Sequence, residues 1–585
     1  MTRRATVLLV ALLVGHALLA YQVRARGIFT FGDDAAYLLL SRALRAFSYR
    51  EVQFIGEPIA ARFPPAYPAL LAVLGVFGEN IGLISLVGIA ISVSGLYALF
   101  DVIRRRWSGE LALLVIAVAA VNPTMVANAG AIASEGTFTA LALWTLWAAD
   151  RTDHGERRGV AAAAVAILAA MTRTAGVTLP LALGAHWLLR RRVRHVAVLA
   201  LASAVTVGAW LGWTTFAPKR EFRRSYIDDA VNVRSGDGSM LGTLAYRLSN
   251  NASTYVGQTL LTELSLPVAK GTKLDNVAWV ALLGSLMLAG LVSAWRRWNV
   301  AVIWAAGYAT LLVIWAFTLE RFLQPLMPVL IAFVLVGAWT VVSRWRPRNP
   351  RAAALPAVAV SAVLAGSALL GSASLSERAA ACDRSRTDCA PPESLDYVDA
   401  SIYVASHSPP DARFIAPKNA TLYYFAPRQS VFWDEVIVQD SSTFLGFLDR
   451  NRVTHVLTTP VFSDQVTLAR LAFMHCAQFD LLRAVSPETM ILVRRSAPSD
   501  GNTQACRALA RAVKRAERRT DPGDSGNTVQ DPSRALSHWS VSTMNGRGSS
   551  ARSVSLRSRR RHTRKSRTRR PRVGALGGSD NRSAE

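Results

Sequence analysis

The sequence predicts an α-helical polytopic membrane protein with a small C-terminal α/β domain and a basic, disordered tail. The chain has 585 residues, of which 51% are hydrophobic, and its mean hydropathy is +0.25. The apolar residues form runs close to the ~20 residues that a helix needs to cross a bilayer. Lys and Arg recur in the short connections between these runs, as they do in cytoplasmic loops. These observations favour a membrane protein over a soluble chain of several domains.

About eleven transmembrane helices are expected when each apolar run is compared with the length of a bilayer span. Segment 66–77 is apolar but too short to cross alone, which indicates a re-entrant or interfacial helix. The first span has the basic start and apolar core of a signal peptide, but we interpret it as uncleaved; cleavage would leave the remaining topology unchanged. The predicted spans are 5–23, 81–103, 110–127, 131–149, 159–172, 175–190, 196–216, 276–295, 298–318, 322–343 and 353–374.

The basic clusters predict the orientation of these spans. They all fall on the same side if the N-terminus is cytoplasmic and every predicted span is real. The first loop, 24–80, the second large loop, 217–275, and everything after residue 375 are then extracytoplasmic, and we expect a multi-pass protein of the plasma membrane, the bacterial inner membrane. The clusters are Arg3-Arg4, Arg104–Arg106, Arg151 with Arg157-Arg158, Arg190–Arg192 with Arg194, Arg296-Arg297 and Arg344 through Arg351.

The chain divides into a membrane module, 1–375, an extracytoplasmic α/β domain, 376–495, and a tail, 496–585. The tail is rich in Arg and Ser and carries 20 Lys and Arg against 7 Asp and Glu, about half of the net charge of +27. Such a composition cannot bury a core and predicts disorder. Because the remaining charge lies largely in short loops between apolar runs, nucleic-acid binding is not expected.

The α/β domain is predicted from β-branched and aromatic runs that alternate with helical patterns. The expected strands are 413–416, 421–425, 431–438, 453–459 and 489–493, and the expected helices are 394–406, 442–451 and 465–474. All four cysteines lie on the predicted outer side, where disulfides form; three pairings exist, and Cys382–Cys389 with Cys476–Cys506 is the simplest. No catalytic group is evident in this domain, which we interpret as accessory.

The first loop holds the sequence motif with most chemical content. It contains Asp33-Asp34-Ala35-Ala36-Tyr37 and, later, Pro64-Pro65-Ala66-Tyr67-Pro68 before an apolar run. Adjacent carboxylates beside a membrane span are costly unless they face water or a polar site. The prolines stop the preceding chain and suit the first turn of a new helix. An alternative interpretation is that Asp33 and Asp34 only cap a surface helix that begins at Ala35.

A few further charged residues lie at the predicted outer ends of spans, on the same side as Asp33. They are Glu135 after Ser134, Arg173 in a tight turn, and the pair Glu320-Arg321. Charges close to a bilayer tend to be functional or paired, so this convergence predicts a site. The alternatives are a helix-dipole role for Glu135 and interfacial anchoring for the two arginines.

These motifs, in this order and on one side, resemble the GT-C membrane glycosyltransferases, in particular the family 39 type, which includes protein mannosyltransferases and the lipid A aminoarabinose transferase. The resemblance covers roughly residues 5–345 and also includes Ser134-Glu135, Thr172-Arg173-x-x-Gly176 and Glu320-Arg321-Phe322 before Pro325 and Pro328. Asp34 stands where family 39 members often have Glu. No match to the β-trefoil domain of the protein mannosyltransferases is present.

The resemblance implies a hexosyl- or pentosyltransferase that takes a sugar from a polyprenyl-phosphate donor and passes it to an extracytoplasmic glycan, lipid or protein. It implies Asp33 as catalytic base, with Asp34 as a second catalytic candidate. The residue types agree, because inverting transfer needs a carboxylate near the acceptor hydroxyl and cations at the departing phosphate. Arg173 and Arg321 are the candidates for phosphate binding, and Tyr37, Tyr67, Glu135 and Glu320 are candidates for supporting roles.

No cofactor is expected, although Asp33, Asp34 and Glu135 have the ligand type of a divalent cation, if they converge. The main competing interpretation is a transporter or lipid flippase that uses the same charges as a translocation path. Transporters usually place such charges near the bilayer midplane, whereas these are predicted at one face. A non-catalytic scaffold that presents the α/β domain is a third interpretation, and it leaves the convergent charges unexplained.

Overall fold

The computed structural model describes residues 2–28, 33–152, 156–216, 239–266, 276–345, 350–432, 441–460, 465–499 and 503–520. Most of the second large loop, at 217–238 and 267–275, and the tail beyond residue 520 lie outside these ranges. The helices of the membrane module are α1 Arg3–Gln22, α2 Asp34–Arg45, α3 Ala66–Leu74, α4 Ile81–Arg106, α5 Gly109–Val121, α6 Pro123–Ala129, α7 Ser134–Arg151, α8 Glu156–Thr172, α9 Thr178–Leu189, α10 Val193–Ser203, α11 Ala209–Phe216, α12 Met240–Thr254, α13 Leu260–Glu263, α14 Val277–Arg297, α15 Asn299–Ile314, α16 Met327–Trp345 and α17 Pro350–Arg384.

Within the described residues, six helices are long and apolar enough to cross a membrane, or seven if the bent pair α5–α6 is one span. These helices support a multi-pass membrane protein. Each of the other predicted spans is also helical: α7, α8, α9 and α15 are shorter or less apolar than that measure requires. The predicted interfacial segment 66–77 is the short helix α3 with one following turn.

The basic ends of several membrane helices meet at one end of the bundle. Arg151 at the end of α7 pairs with Asp101 of α4 at 2.9 Å, and Arg105 of α4 pairs with Asp150 of α7 at 3.3 Å. Arg297 at the end of α14 donates to the backbone carbonyl of Arg106 at 3.0 Å. The structure thus brings the predicted basic clusters of α4, α7 and α14 to the same side, as the alternation of spans requires.

The C-terminal part is a mixed five-stranded sheet flanked by helices. Its strand order is β2-β1-β3-β5-β4, and β5 pairs antiparallel with both neighbours. The elements are α18 Pro392–His407, β1 Phe414–Ala416, α19 Asn419–Phe425, β2 Ser430–Phe432, α20 Ser441–Arg450, β3 His455–Thr458, α21 Gln465–Met474, β4 Phe479–Ala484, β5 Met490–Arg494 and α22 Gln504–Thr520.

Two features of this domain differ from the sequence-based expectation. Segment 421–425 is part of helix α19 and not a strand, because Asn419 at its start is held by the hydroxyl of Ser430 at 2.6 Å and the carbonyl of Val431 at 2.8 Å. The expected strands also omit β4, an edge strand of which three of the six residues are exposed. The expected strand 431–438 is β2 up to residue 432, and residues 433–440 lie outside the described ranges.

Helix α22 lies beyond residue 495, where the sequence analysis ends the domain. Ala505, Leu509 and Ala512 share one buried face against the sheet, and Cys506 forms a disulfide with Cys476. The other disulfide joins Cys382 to Cys389, so both expected pairings are confirmed. The helix that packs on the sheet therefore continues the domain to residue 520. Apolar residues at helical spacing form a face that can pack even within a strongly basic segment.

The first loop and the C-terminal domain are docked on each other. Phe54 forms a parallel bridge with Ser430 of β2, the edge strand of the sheet. The Ser430 amide donates to the Gln53 carbonyl at 2.9 Å, and the Ile55 amide donates to the Ser430 carbonyl at 3.2 Å. The loop thus satisfies backbone groups that the edge strand would otherwise leave unpaired.

Candidate functional site

Four charged side chains from four separate segments meet beside the first loop. Asp33 immediately precedes α2, Glu135 lies in the first turn of α7, Arg173 lies between α8 and α9, and Arg321 lies in the short turn before α16. These are the ends of helices that the sequence places far apart. The structure therefore brings together four of the five residues that were predicted to converge.

Asp33 occupies the N-cap position of α2, but its side chain makes no capping hydrogen bond. Its carboxylate instead faces the guanidinium of Arg321, with 3.1 Å between Oδ2 and Nη2. The side chain is 29% exposed, so one part of the carboxylate is open. A carboxylate that only started a helix would accept the first backbone amides. The position of Asp33 favours a site over a cap.

Glu135 and Arg173 form the buried part of the cluster. Arg173 Nη1 lies 2.7 Å from Glu135 Oε1, and Glu135 is 2% exposed. The same arginine nitrogen donates to the Ser134 hydroxyl at 2.9 Å, and Tyr37 shares a hydrogen bond of 2.8 Å with that hydroxyl. Arg321 reaches Glu135 at 3.7 Å, which joins this pair to Asp33. The two arginines are thereby held by carboxylates on fixed helix ends.

Tyr67 supports this cluster through packing. Its ring meets the ring of Tyr37 edge to face, with 4.8 Å between centroids, and its hydroxyl lies against the backbone amide of Ala133. Tyr37 in turn packs on Phe63 at 4.9 Å. Such edge-to-face pairs are worth about 1 kcal/mol beyond their buried area. The aromatic residues of the two first-loop motifs thus form one support beneath the charged residues.

Two of the predicted site residues have other surroundings. The Asp34 carboxylate accepts the amide of Ala35 at 2.9 Å, and the residue is only 4% exposed. Glu320 lies near the buried Glu263, and within the described part of the chain no ion pair joins it to Arg173 or Arg321. The structure therefore places Asp34 as a support of the start of α2.

The carboxylates do not form a donor set for a divalent cation. Among the described residues, no three Asp, Glu, His or Cys side chains are grouped as a metal site would require. Asp33 faces Arg321 and Glu135 faces Arg173, so each carboxylate has a guanidinium where a cation would lie. Asp34 lies against the Ala35 amide, so the three carboxylates have separate partners.

The pKa of Asp33 is lowered despite the burial of its carboxyl group. Burial alone would raise the pKa of this carboxyl group, but the positive charges of Arg321, Lys418 and Arg62 outweigh it. Arg62 belongs to the first loop, directly before the second motif, and Lys418 belongs to the C-terminal domain. Sequence reasoning assigned neither residue to the site. The charge beside the Phe63-Pro64-Pro65 motif was a signal for Arg62, whereas nothing in the sequence indicates Lys418.

Close helix contacts position the two inner residues. A side chain on Gly136, next to Glu135, would meet the backbone carbonyl of Asn128, and one on Gly176 would meet the backbone of Ala169. Only glycine allows these close backbone approaches. The close approach at Gly176 explains the glycine three residues after Arg173. Together the two glycines fix the turns that carry Glu135 and Arg173.

An apolar cavity adjoins the charged cluster on the side of Tyr67. It lies between α3, α4, α6 and α7 and is lined mainly by aliphatic side chains, with Asn128 and Thr137 as polar members. Leu71, Ile84 and Val87 are among the aliphatic residues of its wall. The cavity has a volume of about 10 Å³, room for about one water molecule, so it is a small gap in the packing beside the charged cluster.

No protein-family model matches the chain, and no curated protein sequence matches it either. Among solved structures, the chain is similar to ArnT from Cupriavidus metallidurans bound to undecaprenyl phosphate, at 14% identity over 85% of this chain and 99% of that chain, with a TM-score of 0.52. The apo form of ArnT aligns at 14% identity over 84% and 99%, with a TM-score of 0.51. The Archaeoglobus fulgidus oligosaccharyltransferase aligns at 12% identity over 86% and 77%, with a TM-score of 0.49.

The likeness to ArnT extends over almost all of that protein and over most of the described part of this one. At this level of identity it is a likeness of fold. It agrees with the order of the motifs in the sequence and with the helical membrane module seen here. The chain therefore has the GT-C fold, the fold of the membrane glycosyltransferases that its motifs resemble.

Proposed function

We propose that the protein transfers a sugar from a polyprenyl-phosphate donor to an extracytoplasmic acceptor. The observation that carries this proposal is the partly open Asp33 carboxylate, paired with Arg321 and adjoining the buried Glu135–Arg173 pair. The fold adds support, because ArnT, which shares it, has been solved with undecaprenyl phosphate. Glycan, lipid and protein acceptors all remain compatible with this site.

Asp33 acts as the base in this proposal. Its lowered pKa keeps the carboxylate deprotonated throughout the physiological pH range. The acceptor hydroxyl attacks the anomeric carbon of the sugar, a new carbon–oxygen bond forms, and the hydroxyl proton passes to Asp33. The bond between the anomeric carbon and the phosphate oxygen breaks, and the polyprenyl phosphate leaves with the bonding electrons. One direct displacement of this kind inverts the anomeric configuration.

Arg321 and Arg173 stabilise the departing phosphate. A guanidinium is always charged and presents planar donors that match phosphate oxygens. Glu135 holds both arginines, at 2.7 Å from Arg173 and 3.7 Å from Arg321, so they need little rearrangement when the charge develops. Preorganised charges of this kind supply a large part of enzymatic rate enhancement.

A transporter or lipid flippase is the second candidate. It is favoured only by the presence of several charged residues among membrane helices. Transport sites are typically formed by broken helices. Here the charges lie instead at the ends of α7 and α8 and between α15 and α16. The grouping at one end of the bundle favours chemistry at the membrane surface.

The test uses membranes or purified full-length protein supplied with a radiolabelled polyprenyl-phosphate sugar pool. Label is followed into lipid, glycan and protein fractions, which also reveals the acceptor class. We expect Asp33→Asn to lower transfer by at least ~100-fold, because general-base catalysis contributes about 10²–10⁴-fold. Asp411→Asn, an exposed carboxylate on the C-terminal domain, is the matched control and should transfer normally.

Two outcomes would contradict the proposal. Undiminished transfer by a folded Asp33→Asn protein would exclude this residue as base. No transfer by the wild-type protein from any polyprenyl-phosphate sugar would favour the transporter.

A further inference from the structure

Lys418 is held rigidly at the surface of the C-terminal domain that faces the membrane module. The buried hydroxyl of Tyr397 accepts the backbone amide of Lys418 at 3.2 Å and donates to its carbonyl at 3.1 Å. Helix α19 begins directly after this residue, and its first side chain, Asn419, is tied to β2. The backbone that carries the Lys418 side chain is therefore fixed on both sides.

The docking of the domain brings this lysine to the candidate site. Downstream of Lys418, Tyr424 on α19 lies under the guanidinium of Arg42 on α2, with 4.7 Å from the guanidinium carbon to the ring centroid. The Ser430 backbone pairs with residues 53 and 55 of the first loop. Asp33 is the residue before α2, so these contacts join the two segments that carry Asp33 and Lys418.

The electrostatic surroundings of Lys418 belong to the membrane module. Asp33 and Asp34 are the acidic groups that act on its ammonium group, while Arg321 and Arg62 oppose it. Burial, the largest cause, lowers the pKa of Lys418. A buried ammonium group is costly unless an anion compensates it. Arg321, Arg62 and Arg173 also act on Asp33.

We propose that Lys418 is a donor-binding residue, which the C-terminal domain supplies to the phosphate site of the membrane module. This inference rests on the proposed function and names the ligand group: the phosphate headgroup of a polyprenyl phosphate. Arg321 from the membrane module and Lys418 from the C-terminal domain both act on the partly open Asp33 carboxylate, so cations from both parts of the molecule lie where an anionic headgroup would bind.

The proposal changes the role of the C-terminal domain. The phosphate would contact Arg321 from the membrane module and Lys418 from the domain, so that donor binding and domain docking stabilise each other. A lysine suits this position because its ammonium group acts as a compact point charge, whereas the arginines provide directed donor pairs. The domain is then part of the site rather than an accessory attached to it.

The test measures binding to the full-length protein in nanodiscs, with a polyprenyl monophosphate as the probe and the uncharged polyprenol as its comparison. We expect Lys418→Met to weaken binding of the monophosphate by at least ~10-fold, because the phosphate loses a charge-assisted hydrogen bond. Binding of the polyprenol should not change. In transfer assays, the same variant should raise KM for the donor more than it lowers kcat, and Lys418→Arg should restore most of the binding.

Two control variants separate charge from structure. Lys514→Met removes an exposed charge from α22 of the same domain and should bind both lipids as the wild type does. Tyr397→Phe removes the hydroxyl that holds the Lys418 backbone but keeps the charge, so it measures the effect of loosening the segment alone. Unchanged monophosphate binding in Lys418→Met would overturn the proposal. An equal loss of monophosphate and polyprenol binding would also overturn it, because it would indicate a structural role.

The outcomes are distinct from those of the proposed function. Wild-type protein that binds the monophosphate through Lys418 but transfers no sugar would retain this site and exclude the transferase. Sugar transfer that depends on Asp33 but not on Lys418 would support the transferase and exclude Lys418 as a donor-binding residue.

Discussion

Asp33 and Asp34 are neighbours in the chain, but their carboxylates have different chemical surroundings. Asp34 turns inward to the Ala35 amide, while Asp33 stays partly open and faces Arg321. The difference follows from the start of α2, because successive residues at a helix N-terminus point in different directions. Of the two carboxylates, it is therefore Asp33 that faces Arg321.

The acid limb of the pH–rate profile tests the pair formed by Asp33 and Arg321. Positive neighbours lower the pKa of Asp33, so kcat/KM in the wild type should hold until the pH falls below the ordinary range of an aspartate. Arg321→Gln removes one of these charges while burial, which raises the pKa, remains. Its acid limb should therefore lie at higher pH. The profile is measured with the donor below saturation.

The position of the limb is independent of how far the variant lowers the absolute rate. Arg50→Gln, an exposed arginine of the first loop, should leave the limb where it is in the wild type. An Arg321→Gln limb that stays in place or moves to lower pH would show that Arg321 does not control the ionisation of Asp33. The sign also applies to stability: the pair stabilises the fold above the pKa of unfolded aspartate, and this contribution is lost as the pH falls through the lowered native value.

Most residues of the candidate site could be predicted because charges at the ends of apolar runs are rare. Asp33, Glu135, Arg173 and Arg321 each stand out against their hydrophobic neighbours, and the alternation of spans places them on one side. Lys418 could not be predicted in this way. Its relation to the site depends on how a separately folded domain docks, and one lysine in a polar segment carries no local signal of that.

At the level of elements, helix α7 carries an ion-paired residue at each of its ends. Glu135 at its first turn belongs to the candidate site, and Arg151 at its last turn belongs to the ion-pair network with Asp101. The two residues are separated by about 24 Å along the helix axis. The network joins α7 to α4 at the far end, so it fixes the helix that presents Glu135 without taking part in the site.

The sequence identified most elements of the C-terminal domain but not all. Apolar runs that are buried in the sheet, such as β1, β3 and β5, were predicted because both of their faces are covered. Helix α19 has strand-forming side chains, and tertiary hydrogen bonds at Asn419 override that preference. Such overrides depend on contacts with distant segments, which composition does not report.

The pairing between the first loop and β2 provides a test at the same scale. Ile55→Pro removes the amide that donates to the Ser430 carbonyl, and Ile55→Ala keeps this amide while shortening the side chain. We expect the proline variant to speed amide hydrogen exchange at Ser430, whose amide is bonded to Gln53, far more than the alanine variant does. Equal exchange in both variants would mean that side-chain packing, and not the backbone pairing, holds the loop on the sheet.

At the scale of the whole molecule, the candidate site lies where the membrane module and the C-terminal domain meet. The first loop contributes to both sides of this meeting: its helix α2 begins directly after Asp33, and its segment 53–55 lies along β2. A third contact is the ion pair between Arg26, after α1, and Asp383 near the end of α17. These charges come from segments far apart in the chain, so the site requires the complete fold. The membrane module alone lacks Lys418, and the C-terminal domain alone lacks Asp33 and Arg321.

The orientation in the membrane is the remaining whole-molecule prediction, with the domain outside and the Asp101–Arg151 end facing the cytoplasm. All four native cysteines are in disulfides, so a single introduced cysteine is the only free thiol. In intact cells, a membrane-impermeant maleimide should label Asp411→Cys on the domain, because that residue is exposed and lies on the same side as the candidate site. It should label Glu110→Cys, at the exposed start of α5 beside the basic helix ends, only after the cells are permeabilised.

The positive-inside rule supplies the physical reason, since the arginines of α4, α7 and α14 lie at the end that carries Glu110. Labelling in the reverse order would place Asp33 on the cytoplasmic side, and the donor and acceptor would then have to be sought in the cytoplasmic leaflet.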